Sequence, residues 1–455
     1  MEQDVKAEKK LKLSKCISQT QFIAYGFFII IMTGTLLLML PIASRDGQSE
    51  PFLNCLFTAT SATCVTGLVV VDTWTQWSLF GQILLLIMIQ LGGLGFISIG
   101  IFLSIILRRK IGLKERGLMQ ESVNTLQIGG MVRLTKRIVV GAAIFEGLGA
   151  VILSFRFIPQ FGWLHGIWYS IFHSISAFCN AGFDLMGHTE KYVSLCGYVG
   201  DWLVNLTIVS LIVIGGIGFI VWDDLYQKKW RVRHYMLHTK IVLVTTAIMI
   251  VGSTLMFYLM ERHNILVGMT GSEKFLACLF SAVTPRTAGF NTIDTAALTD
   301  GSKFLTAVLM FIGGSPGSTA GGIKTTTLMV LLFYVVSTVK QTYGVEVFGR
   351  RLEEESIRQS SCILTINLCL TIVATILIMA AQNLPMSAVL FETCSAMGTS
   401  GMSTGVTRSL NTFSRIMIIL LMYCGRIGSL SFALAFTRTK RKAHVQLPSE
   451  RITVG

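Results

Sequence analysis

Long uncharged stretches constrain this chain more than any other feature. No charged residue lies between Lys15 and Arg45, Asp72 and Arg108, Asp201 and Asp223, or Lys240 and Glu261. Each stretch offers the roughly 20 apolar residues that a bilayer-spanning helix needs. Charged residues make up 14% of the chain, against about 25% in a soluble domain. The reading is a polytopic membrane protein. The opening "MEQDVKAEKKLKLSKC" is charged, and the apolar run behind it is too long for a cleaved signal, so it reads as a cytoplasmic leader before a retained span. The cysteines are scattered singly, as small apolar fillers would be, which argues against disulfides or a zinc site.

A short motif returns four times. "SATCVTG" ends at Gly67, "SAFCNAG" at Gly182, "SAVTPRTAG" at Gly289 and "SAMGTSG" at Gly401, spaced 107 to 115 residues apart. Each unit has one plan. An apolar span comes first, near 20–43, 136–157, 239–260 and 361–382. A segment of ~10–14 apolar residues follows, too short to cross and the length expected of a re-entrant helix. The glycine stretch comes next, and then a second span near 77–107, 202–222, 303–338 and 413–437.

The predicted fold is an all-α polytopic membrane protein with four span–re-entrant pore loop–span repeats, that is eight transmembrane helices, around a pseudo-fourfold central pore. Its divisions are a cytoplasmic segment 1–19, pore repeats 20–115, 116–235, 236–345 and 346–437, and a basic cytoplasmic tail 438–455. If the unit ends face the cytoplasm, 27 of the 38 Lys and Arg lie inside, as the positive-inside rule expects with both termini cytoplasmic. This accounts for most of the +14 charge without nucleic acid, and points instead to lipid headgroups or an acidic partner.

Non-helical backbone at membrane depth is tolerated where protein buries it or water wets it. Four re-entrant segments in four similar units therefore suggest a ring around a pathway. Glycine frees the backbone so that successive carbonyls point one way, and carbonyl rings can replace the hydration shell of a monovalent cation. The short helices aim their partly negative C-termini at the same place. The filter residues expected on this basis are Thr66, Gly67, Asn180, Ala181, Gly182, Ala288, Gly289, Ser400 and Gly401, with a monovalent cation at their carbonyls. Gly405 is a second choice in the last loop; Gly401 keeps the offset from "SA" of the first two loops. The third loop carries two extra residues and Arg286, either bonding loop carbonyls behind the filter or facing the ion. Asp72, Asp184 and Asp294 follow their glycines closely, as loop caps or as attractors of cations.

"GGSPGSTAGGIKTTT", residues 313–327, interrupts the third unit's second span. Proline alone costs ~3 kcal/mol in a helix interior, so this is a packing kink or a flexible segment in the path. The expected gate residues are Gly313, Gly314, Ser315, Pro316, Gly317, Lys324 and Arg426. Arg426 is either an intramembrane functional charge or a snorkelling one. Glu146 and Glu392 are further embedded charges without assigned partners.

The four-unit plan, "TPRTAGFNTID" and "GGSPGSTAGGIKTTT" resemble the Trk/Ktr/HKT superfamily of cation transporters, nearest the membrane subunits of bacterial Ktr potassium uptake systems. The resemblance covers nearly the whole chain. It implies that the four glycines are filter glycines, that 313–327 is an intramembrane gating loop, and that Arg426 limits conduction and contacts that loop. It also implies a bacterial inner-membrane location, a homodimer, a cytoplasmic RCK-type ring (KtrA-like) binding ATP or ADP, and Na+ as an activator. Gly67 argues for potassium, since family members with serine there tend towards sodium. No Walker, dinucleotide or phosphorylated-Asp signature is present, so no enzyme activity and no cofactor is expected in this chain. The alternative is an alternating-access, cation-coupled carrier, whose folds usually show two large repeats.

Overall fold

The computed structural model describes residues 18–107, 117–118, 131–436, 450 and 453. The expected cytoplasmic leader, most of the first inner loop and nearly all of the basic tail lie outside them.

Four helices in the described residues are individually long and apolar enough to cross a bilayer: α1 (Gln19–Leu38), α5 (Met131–Phe161), α9 (Leu237–Glu261) and α13 (Glu354–Ala381). Each is the first span of one unit, and roughly a third or less of its most apolar stretch is buried, leaving the rest an apolar outer face. Behind each comes a short helix: α2 (Phe52–Thr63), α6 (Trp163–Phe178), α10 (Gly271–Val283) and α14 (Met386–Gly398). The C-terminal halves of these short helices are almost wholly buried, with Phe57, Phe172, Phe178, Phe280 and Phe391 among the largest enclosed side chains.

The second spans depart from the expected plan. Each expected second span is an interrupted pair of helices, not the third alone. Helix α3 (Leu79–Gly93) meets α4 (Phe96–Ile106) at 92°, and α7 (Trp202–Gly216) meets α8 (Phe219–Lys228) at 93°. Helix α11 (Asp300–Ile312) is parted from α12 (Thr325–Val339) by residues 313–324, and α15 (Thr412–Ile427) from α16 (Ser429–Phe436) by Gly428. Gly95, Gly218 and Gly428 sit at equivalent breaks with φ of 80°, 100° and 93°, values that only glycine adopts freely.

The start of these spans is also common. Ser78, Asp201, Thr299 and Asn411 each accept a backbone N–H three residues ahead with their side chains, satisfying a donor that the first helical turn leaves unpaired.

Candidate functional site

The four glycine stretches converge. A Cβ placed on Gly67 would lie 2.4 Å from the Ala181 carbonyl oxygen and 3.1 Å from Gly182 Cα. One on Gly182 would meet the Ala288 oxygen at 2.6 Å, one on Gly289 the Ser400 oxygen at 2.7 Å, and one on Gly401 the Thr66 oxygen at 2.1 Å. The contacts run from the first unit to the second, third and fourth, and back to the first. They close a ring. Gly405 has open space around it and takes no part.

The backbone repeats around this ring. The residue two before each glycine is left-handed (Val65 at φ 56°, Asn180 at 57°, Thr287 at 71° and Thr399 at 50°), and the glycines themselves have φ between 69° and 90°. Thr66, Ala181, Ala288 and Ser400 stand between, with negative φ. Left-handed backbone costs roughly 1–2 kcal/mol per non-glycine residue, so four repetitions require bracing. The short helices supply it. Thr66 N, Ala181 N and Ser400 N donate to Ser61, Ser176 and Ser395 carbonyls at 2.7–2.8 Å. In the third loop Ala288 N donates to Thr284 O at 2.9 Å instead. Thr284, rather than Ser281 of the "SA" pair, is thus the anchor there. Its hydroxyl holds Phe290 O at 2.6 Å, as Ser176 holds Phe183 O at 2.7 Å.

Every expected filter residue is buried. Thr63 Oγ1, Thr66 Oγ1, Asn180 Oδ1, Ser395 Oγ and Thr399 Oγ1 have no hydrogen-bond partner among the described residues. Most buried polar groups are satisfied; here unspent oxygens cluster around one ring, a chemistry suited to a cation or water.

Arg286 does not reach loop carbonyls. Its Nη2 donates to the Thr246 hydroxyl on α9 at 3.1 Å, and Asn180 Nδ2 approaches its carbonyl at 3.4 Å. Asp72, Asp184 and Asp294 each accept a nearby backbone N–H, from Thr75, Met186 and Ala296, and so act as loop caps. Burial pushes the Asp184 carboxyl up to about 7; the Met186 N–H opposes this and Asp72 adds to it.

Residues 313–324 fold back against the ring. A Cβ on Gly321 would lie 2.0 Å from Thr399 Oγ1, and Thr319 Oγ1 donates to Phe178 O at 3.2 Å. The break in the second unit cradles the segment: Ser315 N and Thr319 N donate to Gly216 and Gly215 carbonyls, and Phe219 N to Gly317 O at 2.7 Å. Lys324 Nζ donates to Ala320 O at 2.7 Å, closing the loop on itself. Arg426 fastens it from the fourth unit. Its Nη1 donates to Thr319 O, and its Nη2 to Gly92 O and, at 3.1 Å, to Gly93 O. Arg426 does not snorkel; it joins three units. A cavity of about 300 Å³ adjoins the loop, lined among others by Phe96, Phe219, Gly317, Lys324 and Arg426.

Sequence reasoning missed the motif behind Arg426. "GGLGF" (92–96), "GGIGF" (215–219) and "GRIGS" (425–429) are copies of one break, with Arg426 in the place of Gly93 and Gly216. A Cβ on Gly92, Gly215 or Gly425 would lie 2.0, 2.0 or 2.2 Å from the carbonyl oxygens of Thr63, Phe178 and Met397, each four residues before a ring glycine. The embedded carboxylates find neutral partners. Glu146 accepts from Gln90 at 2.7 Å; Glu392 accepts from Ser403, Thr404 and Thr407.

Residues 6–446 match the TrkH family of cation transport proteins. The chain is 39% identical to the potassium/sodium uptake protein NtpJ of Enterococcus hirae, over 98% of this chain and 99% of that one. It is 39% identical to the Ktr system potassium uptake protein B of Bacillus subtilis, over 96% of each. The fold is similar to the crystal structure of the potassium transporter TrkH from Vibrio parahaemolyticus, with a TM-score of 0.70, 19% identity, and 91% of this chain and 85% of that one covered.

Proposed function

Because the chain belongs to the TrkH family of cation transport proteins, we propose that it is a channel-like potassium translocation subunit for K+ uptake. It is a multi-pass membrane protein. In the proposed arrangement, eight spans in four repeats surround a pseudo-fourfold pore in the bacterial inner membrane, with both termini cytoplasmic. Two copies form a homodimer, and a separate RCK-type ring binding ATP or ADP docks on its inner face. The printed names of the relatives, "potassium/sodium uptake protein" and "Ktr system potassium uptake protein B", support the ion and the multi-subunit system.

The observation that carries the reading is the closed glycine ring with its repeated backbone. Carbonyls of Thr66, Ala181, Ala288 and Ser400 lie against the neighbouring glycines, where a side chain would intrude. A dehydrated K+ there exchanges water oxygens for carbonyl oxygens, and the C-terminal ends of four short helices favour positive charge. Below the ring, residues 313–324 obstruct the path, and Arg426 both holds them and adds a repelling charge. The resting chain is therefore closed, and opening requires the loop to leave the Gly215 and Gly216 carbonyls and the Arg426 guanidinium. No driving reaction is needed; the membrane potential moves the cation.

The test is K+ flux into liposomes containing the purified chain, repeated with Gly289→Ser and with residues 313–317 deleted. The expected results are saturable, gradient-driven K+ entry, loss of preference over Na+ in the serine variant, and faster entry in the deletion. A fixed counter-ion stoichiometry with selectivity untouched by Gly289→Ser would instead support the alternating-access carrier.

A further inference from the structure

Two buried side chains stand at one position of the repeat and make one bond. Glu392 lies nine residues before Gly401 on α14, and His173 nine before Gly182 on α6. Both are within 1% of full burial. Glu392 Oε1 accepts the N–H of Thr404, three residues beyond Gly401, at 3.0 Å. His173 Nε2 faces the N–H of Leu185, three residues beyond Gly182, at 3.3 Å. The Tyr169 carbonyl 2.7 Å from Nδ1 can only accept, so Nδ1 carries the hydrogen and Nε2 is left as the acceptor. One neutral ring and one carboxyl group thus do the same work.

The other two units lack it. In the first unit the position is Thr58, whose hydroxyl turns to Asn54 O at 2.8 Å; in the longer third loop it is Cys278 counted from the "SA" pair or Ser281 counted from Thr284, and neither side chain bonds the segment beyond Gly289 among the described residues. The ring contacts run in unit order, so the second and fourth units face each other across the axis. Glu392 does more than cap one amide. It also accepts from the hydroxyls of Ser403 and Thr407, gathering the whole segment behind Gly401.

We propose that His173 and Glu392 are positioning residues for ion selection, which fix the backbone just beyond Gly182 and Gly401 from two diagonal units and so hold the ring at the width of a dehydrated cation. The inference rests on the filter reading above. It assigns to the short helices a task beyond aiming their dipoles: two of them set the far side of the ring by side-chain reach. The ring itself is bonded to the Ser61, Ser176, Ser395 and Thr284 carbonyls on its near side. Without the bonds to Leu185 N and Thr404 N, the segment beyond Gly182 would keep only the Ser176 hydroxyl at Phe183 O, and the one beyond Gly401 would lose its backbone tie to the short helix α14.

Reach rather than charge is what the geometry requires, and this gives the test. Glutamine presents an acceptor where His Nε2 or Glu Oε1 stood; asparagine and aspartate fall short of it. K+ and Na+ entry into liposomes is compared for His173→Gln, His173→Asn, Glu392→Gln and Glu392→Asp, with Gly289→Ser alongside. The expected K+ over Na+ preference falls roughly fivefold in each shortened variant, the worth of about one hydrogen bond, and stays within about twofold in the glutamine variants. The inference is overturned if the shortened variants keep the preference, if Glu392→Asp outperforms Glu392→Gln, or if a shortened variant cannot be recovered folded, since the bond would then serve stability alone. Should Gly289→Ser change selectivity while these four do not, only this inference fails. Should Gly289→Ser also leave it unchanged, the filter reading fails with it.

Discussion

Gly92, Gly215 and Gly425 are glycine because a carbonyl occupies the space of a side chain, and not because of their own φ. Their hydrogens face the ends of three short helices, at the oxygens of Thr63, Phe178 and Met397. Alanine at Gly215 would place Cβ 2.0 Å from the Phe178 oxygen, so the short helix must move. Overpacking of this kind costs typically 1–3 kcal/mol. Gly215→Ala is expected to lower the melting temperature in detergent, while Gly147→Ala, where nothing lies within 4 Å of the new Cβ, leaves it level or raises it. Equal shifts in both would sink the argument. Two residues beyond Gly182, desolvation pushes the carboxyl of the half-buried Asp184 up to about 7, above its ordinary value near 3.8. The native protein thus binds a proton there that the unfolded chain has released. Asp184 therefore favours the folded state most below pH ~4, and that advantage is lost as pH rises to about 7. Asp184→Asn is expected to flatten the fall of thermal stability between those values; an unchanged slope would place the titration elsewhere.

At the scale of elements, the short helices were legible as separate elements because length decides: 12 or 13 residues in α2, α10 and α14 are too few to cross a bilayer. The breaks in three of the second spans were not. Hydropathy runs through "GGLGF" and "GGIGF" without a dip, and each glycine costs only about 1 kcal/mol in a helix. What bends those helices is tertiary: the carbonyl ends seated on Gly92 and Gly215, and a loop from another unit bonded to Gly215 and Gly216. The break at 313–324 was legible because Pro316 and a run of glycines exceed what a helix tolerates. The same run makes it a poised element. Gly313, Gly317 and Gly322 have φ of 68°, 63° and 70°. Gly317→Ala forces a left-handed alanine, worth about 1–2 kcal/mol against the folded-back state alone, which shifts its equilibrium roughly five- to thirtyfold. Basal K+ flux is expected to rise by up to that factor. Arg426→Gln, which loses the charge beside Thr319 O, Gly92 O and Gly93 O, is expected to raise flux in the same direction. Reduced flux in both variants would mean that the loop supports conduction instead of blocking it.

For the whole molecule, the order of the four units in sequence is their order around the ring, so neighbours in the chain are neighbours in space and no unit need cross another. The proposed arrangement also implies sidedness: each unit would enter and leave on one face, and each glycine stretch would open on the other. The exposed Asp294 lies just past a ring glycine, whereas Tyr343, 94% exposed, follows α12 in the connection between the third and fourth units. The two must lie on opposite sides of the membrane if α11, the loop and α12 together form one crossing. Lys and Arg cluster with Tyr343, at Lys340, Arg350 and Arg351, which the positive-inside rule assigns to the cytoplasm. With the exposed Cys362 and Cys369 replaced, a membrane-impermeant maleimide added to intact cells is expected to label Asp294→Cys and to spare Tyr343→Cys, and to label Tyr343→Cys only in inverted vesicles. Labelling of both from one side would make the segment 300–339 a re-entrant hairpin, leave the third unit with a single crossing, and remove the fourfold plan on which the ring depends.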